Sequence, residues 1–106
     1  MSMIARLEDM IATSGDSPHL RFGLASAYFR EEQFEAALAH VSVAVELDAD
    51  YSAAWRLLGR VHMNLGDNVA AQQALQRGIE VATRRGDQQL IKEMRVFLKR
   101  LQRAKD

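Results

Sequence analysis

Apolar side chains recur along this chain three and four residues apart, the spacing that lines one face of an α-helix. Ile4, Leu7 and Ile11 share such a face, with Met3 and Met10 beside them, and the segment breaks at Ser14-Gly15-Asp16. Ser17-Pro18 then sets a capping hydroxyl before a proline whose missing N–H costs nothing in a first turn. That pair predicts a helix over about 18–30. A break near Glu31–Gln33 leads to a helix over about 34–47, closed by Asp48-Ala49-Asp50. Another covers about 52–64 and stops at Gly66-Asp67, where glycine can turn left-handed and aspartate can cap the next helix. The fifth reaches about Arg85, with Arg84 and Arg85 at the negative end of its dipole. Gly86-Asp87 repeats the stop–start signal, and Leu90, Ile91, Met94, Phe97, Leu98 and Leu101 form the stripe of a sixth helix. With one proline and short β-branched runs, nothing reads as a strand.

Sliding the chain over itself by 34 residues sets Leu24 on Leu58, Ala25 on Gly59, Tyr28 on His62, Ala36 on Ala70 and Ala37 on Ala71. The same shift sets Val41 on Leu75, Val45 on Ile79 and Glu46 on Glu80. Large meets large and small meets small. A period of 34 with two helices per unit resembles the tetratricopeptide repeat, whose pattern runs W-x2-L-G-x2-Y, then A-x3-F, then P. Residues 52–85 give Trp55-x2-Leu58-Gly59-x2-His62, with Ala71 and Leu75 at the A-x3-F spacing. Residues 18–51 give Leu24-Ala25-x2-Tyr28, then Ala37-x3-Val41 and Ala44. Departures are Arg21 for the tryptophan, His62 for the tyrosine, Gly78 for a small alanine, and Ala49 and Thr83 for the terminal proline. Met3, Ile4, Leu7, Met10 and Ile11 fall where the second helix of a preceding repeat carries its core. The sixth helix looks like the first helix of a third repeat, slipped by about one residue.

The resemblance implies an all-α, right-handed superhelix of antiparallel helix pairs in one domain. Residues 1–15 would cap its N-terminal end, 18–51 and 52–85 would be the repeats, and 87–104 would cap the other end. The chain is similar to small stand-alone bacterial members of the family. Such proteins act as scaffolds that hold a peptide or helix of a partner protein in a concave groove lined by each repeat's first helix. Carried onto this sequence, the groove positions are His19, Phe22, Ser26, Phe29 and Arg30 in the first repeat. In the second they are Ala53, Arg56, Arg60, Met63 and Asn64. Helical spacing agrees in part, since Phe22, Ser26 and Phe29 form one stripe and Arg56, Arg60 and Met63 its counterpart. An apolar groove with arginine forks suits an acidic or amphipathic peptide. The Lys/Asn/Arg clamp with which some members grip chaperone tails is absent, because its positions hold Phe22, Ser26 and Leu57.

Composition narrows the function classes. The 106 residues are 48% apolar and 26% charged, the balance of one globular domain, and include no cysteine, so disulfides, thiol nucleophiles and Cys-ligated metals are excluded. His19, His40 and His62 lie far apart with no zinc-ligand spacing, and the glycines are isolated, so no metal, cofactor or phosphate motif exists and no catalytic set emerges. His62, at a packing tyrosine's position, is expected in the core. Leu7 is followed by Glu8 and Asp9, which interrupts any secretory apolar run, and no stretch suits a membrane span, so the expected address is the cytoplasm.

Formal net charge is zero, yet residues 1–51 hold three arginines against nine acids, and residues 52–106 eleven Lys or Arg against five acids. Most of the surplus, including Lys92, Arg95, Lys99, Arg100, Arg103 and Lys105, sits on the last helix. Nucleic-acid binding through that helix is disfavoured by the neutral total, the acidic first half and the lack of interleaved aromatics. The complementary halves would also permit a salt-sensitive homo-oligomer.

Overall fold

The computed structural model describes residues 2–105, which form six helices and no strand: α1 Met3–Ser14, α2 Pro18–Arg30, α3 Phe34–Leu47, α4 Ser52–Asn64, α5 Asn68–Arg85 and α6 Gln88–Lys105. Local chemistry sets the ends. Ser17 Oγ accepts from the Leu20 N–H at 3.0 Å with Pro18 next to it, and Asp67 and Asp87 accept from the N–H groups of Ala70 and Leu90. After α4, Asp67 N–H bonds the His62 carbonyl and Gly66 N–H that of Met63, with Gly66 at φ 80°, a Schellman stop. After α2 the same pattern ties Gln33 to Tyr28 and Glu32 to Phe29, but Glu32 takes the left-handed seat at φ 58°.

Each helix packs against the next, and α2 also meets α4 and α4 meets α6, so α2, α4 and α6 lie side by side in one layer. The core follows the chain axis in two clusters. One gathers Ala25, Ala37, Val41, Ala44, Ala54, Leu58 and Val61 between the α2–α3 and α4–α5 pairs. The other gathers Ala71, Leu75, Ala82, Ile91, Met94 and Leu101 between α5 and α6. Small residues bring helix axes close while Leu, Val and Met fill the gaps.

The polar departures from the repeat pattern are accommodated. Trp55 Nε1–H donates to the Ala49 carbonyl at 2.8 Å, tying α4 to the connection before it. At the equivalent position Arg21 makes a two-pronged bond to Asp16, Nε to Oδ1 at 2.8 Å and Nη2 to Oδ2 at 2.9 Å. Its Nη1 reaches His40 Nδ1 at 2.9 Å, and the His40 ring stacks flat on Tyr28.

Three expectations are corrected. Met3 and Met10 are 58% and 46% exposed, because α1 ends the stack and has no neighbour on that side, so only Ile4, Leu7 and Ile11 turn inward. His62 is half-buried rather than in the core, since α4 ends two residues later. α5 has 18 residues where α3 has 14, and the side chains of α6 follow those of α4 by 37 positions (Ile91 after Ala54, Met94 after Leu57, Phe97 after Arg60), so its slip is three residues rather than about one.

Candidate functional site

Phe22, Ser26, Phe29 and Arg30 from α2 face Arg56, Leu57 and Arg60 from α4 around one cavity of about 160 Å³. Arg60 continues into a second hollow of about 280 Å³ with Met63, Asn64, Phe97 and Arg100, and into a third of about 450 Å³ with Arg56, Glu93, Val96, Phe97 and Arg100. The structure therefore brings eight of the ten sequence-derived groove residues onto one surface. His19 stands apart, exposed at the rim, its ring 5.1 Å from Tyr51, which also touches Phe22 at 5.0 Å. Ala53 is half-buried and lines none of these hollows.

Arg60 is the centre of the surface. Its guanidinium lies 4.7 Å from the Phe29 ring centroid and 5.4 Å from that of Phe97, while Arg100 covers Phe97 at 5.4 Å. Cation–π contact holds the head groups in place but leaves their N–H donors free to meet an anion. Among the described residues Arg60 has no carboxylate partner; the only arginine ion pair in these hollows joins Arg56 to Glu93. Burial, then the like charges of Arg56 and Arg100, hold the Arg60 guanidinium below its ordinary value, with Glu93 opposing. It stays charged, but its charge is under-compensated.

The contribution of α6 was not drawn from the sequence. Glu93, Phe97 and Arg100 fall at i, i+4 and i+7, a stripe beside the core stripe of Ile91, Met94 and Leu101, so the signal was the offset already seen in α2 and α4. Arg100 consequently sits over the groove rather than outside with the exposed Lys92, Arg95, Lys99 and Arg103; the Lys105 side chain lies outside the described residues. No group of three or more His, Asp or Glu suited to a metal ion occurs among the described residues, and no described helix is long and apolar enough to cross a membrane.

Stacked helix pairs with α2, α4 and α6 in one layer define a helical-repeat fold. A tetratricopeptide repeat profile matches residues 28–91, and the chain belongs to the tetratricopeptide repeat family, whose fold serves protein–protein interaction. It is similar to TPR repeat-containing protein PA0015 of Pseudomonas aeruginosa, at 44% identity over 103 residues, 97% of this chain and 98% of that one. The solution structure of protein BPP2914 from Bordetella parapertussis superposes with a TM-score of 0.86 at 44% identity, covering 98% of this chain and 90% of that chain. The first TPR of Spaghetti (RPAP3), solved with HSP90 peptide SRMEEVD, shares the fold with a TM-score of 0.78 at 24% identity, over 92% of this chain and 76% of that one.

Proposed function

We propose that this chain is an adaptor that binds an acidic or amphipathic peptide segment of a partner protein along the groove of α2, α4 and α6. Its repeat units in this reading are 18–51 and 52–85. The observation that carries it is Arg60, held between Phe29 and Phe97 with no ion-pair partner among the described residues, in one hollow with Arg56 and Arg100. Such a surface pairs apolar ring faces with charge-assisted donors, so one carboxylate and one large apolar side chain would satisfy it together. The peptide held by the first TPR of Spaghetti supports a peptide as the kind of ligand. The family's chaperone-tail clamp has no counterpart here, because Phe22, Ser26 and Leu57 fill its seats, so the acid would be gripped instead by Arg56, Arg60 and Arg100.

Selection of random dodecapeptides on phage against the folded protein tests this. Enriched sequences should combine a carboxylate with a large apolar residue and lose about tenfold or more in affinity for Arg60→Glu, checked for native helicity. Peptides that bind both proteins equally would place recognition on another face, and absence of any enrichment would count against peptide binding itself.

A further inference from the structure

We infer that Glu93 is a built-in competitor for the groove: its carboxylate occupies a seat on Arg56 that the partner's carboxylate takes, and the partner binds by displacing it. The inference rests on the groove reading above and adds to it the residue that sets the groove's affinity.

Glu93 lies on α6 and Arg56 on α4, 37 residues away in sequence, and the two pair through Arg56 Nη1 and Glu93 Oε2. Glu93 Oε1 accepts from Gln89 Nε2 at 3.3 Å, one turn earlier on the same helix, which steadies the carboxylate over the groove. The paired side chains are 29% and 35% exposed, so the bridge lies within reach of solvent and can exchange for another anion. A partly exposed pair of this kind is weak enough to be replaced. Around it stand Arg60 and Arg100, whose head groups rest on ring faces. One hollow thus holds three guanidinium groups and a single carboxylate.

This imbalance identifies the occupant as an acidic segment of a partner protein with an apolar residue to meet Phe97. A carboxylate entering beside Phe97 is drawn by Arg60 and Arg100 but repelled by Glu93. The two-pronged geometry that arginine offers to carboxylates is fully available at Arg56 only once Glu93 has left. Glu93 meanwhile spares the unliganded protein three uncompensated like charges in one hollow, which explains an acid at the centre of an acid-binding surface.

The test is a fluorescence titration with two labelled probes, the peptide Leu-Glu-Phe-Glu-Leu and its counterpart with glutamine in place of glutamate. Wild type and Glu93→Gln are compared at equal ionic strength, after matching thermal melts confirm that both are folded. Glutamine keeps the size of Glu93 and one of its two acceptor oxygens, and removes its charge. The acidic probe should bind Glu93→Gln about two to five times more tightly than wild type, the range a partly exposed charge pair covers, while the glutamine probe is unmoved. Equal binding of the acidic probe to both proteins, lost in a folded Arg60→Glu variant, would remove Glu93 as competitor and leave the groove reading standing. Weaker binding to Glu93→Gln would make Glu93 an orienting partner of Arg56 and overturn the inference. No binding to either protein would overturn both readings for carboxylate ligands.

Discussion

A Cβ built at Gly78 lies 2.5 Å from Met94 Sδ and 2.9 Å from the Cβ of Trp55, whereas one built at Gly23 meets nothing nearer than Leu7 Cδ1 at 3.6 Å. Both glycines are inside helices, where alanine is favoured by about 1 kcal/mol. At Gly23 that preference acts alone, so Gly23→Ala should gain about 0.5–1 kcal/mol. At Gly78 the added methyl presses on a fully buried Met94 and on the stem of Trp55, and overpacking of this kind costs about 1–3 kcal/mol. Gly78→Ala should therefore lose about 1 kcal/mol net, with the opposite sign to Gly23→Ala. Urea denaturation of the two variants checks the pair, and gains at both positions would refute the packing argument. Along the sequence Gly78 reads only as an exchange for the family's alanine. Its physical reason comes from residues on α4 and α6, which no periodicity brings together.

At the scale of the elements, Asp16, Arg21 and His40 join the connection before α2, α2 itself and α3 into one polar tie. Arg21 can only donate, so His40 Nδ1 accepts and the neutral ring carries its proton on Nε2. Burial and then the Arg21 charge push His40 below its ordinary value, while Glu8 and Asp16 pull the other way. The unfolded chain therefore takes up a proton near pH 6.5 that the folded chain refuses, and stability is full above that pH and falls as pH drops towards the folded value. Asp16 is also shifted down, chiefly by its bond to Arg21, and its loss of stability comes separately, below about pH 4. Melting temperature followed by circular dichroism should decline between pH 7.5 and 5.5 in wild type, and His40→Gln, which keeps an acceptor for Arg21, should flatten that decline. An undiminished slope in the variant would assign the pH sensitivity to another group. The helices themselves were legible because their signals are local: Ser17, Asp67 and Gly66 act within a turn of where they stand. The stop at Glu31–Gln33 was legible only as a break, since no residue type announces a left-handed Glu32. The groove was legible for α2 and α4 through the 34-residue offset. It was lost at α6, where four extra residues in α5 shift the register and hide Glu93, Phe97 and Arg100 from that comparison.

For the whole molecule, the two ends of the stack are unequal. α1 touches α2 alone and buries no residue fully, whereas α6 packs on both α5 and α4 and buries Ile91, Met94 and Leu101. The acidic and basic halves also meet within the molecule, where Arg84 reaches the Asp50 carboxylate at 3.1 Å and Arg85 the Asp50 carbonyl at 3.3 Å, a seam that either truncation leaves in place. In a structure whose units contact only their neighbours, losing a terminal element costs the interface it made. Removing 1–15 leaves Asp16, Ser17 and the Arg21 tie intact and takes away no fully buried residue of α1, so the remainder should still melt cooperatively, about 5–10 °C lower. Removing 88–106 uncovers Ala71, Leu75 and Ala82, the floor of the second core cluster. Three large side chains leave that interface at about 2–3 kcal/mol each, a sum comparable to the ~5–15 kcal/mol that holds a whole small domain together. The shortened chain should lose its sigmoidal thermal transition and bind a dye for exposed apolar surface. It also lacks Phe97, so Arg60 would keep only one of its two ring faces and the groove would open along one side. If instead residues 1–87 melt as sharply as the full chain, the α2–α5 core folds by itself and α6 serves the groove alone. Stability and recognition, which this structure joins through one helix, would then be separable.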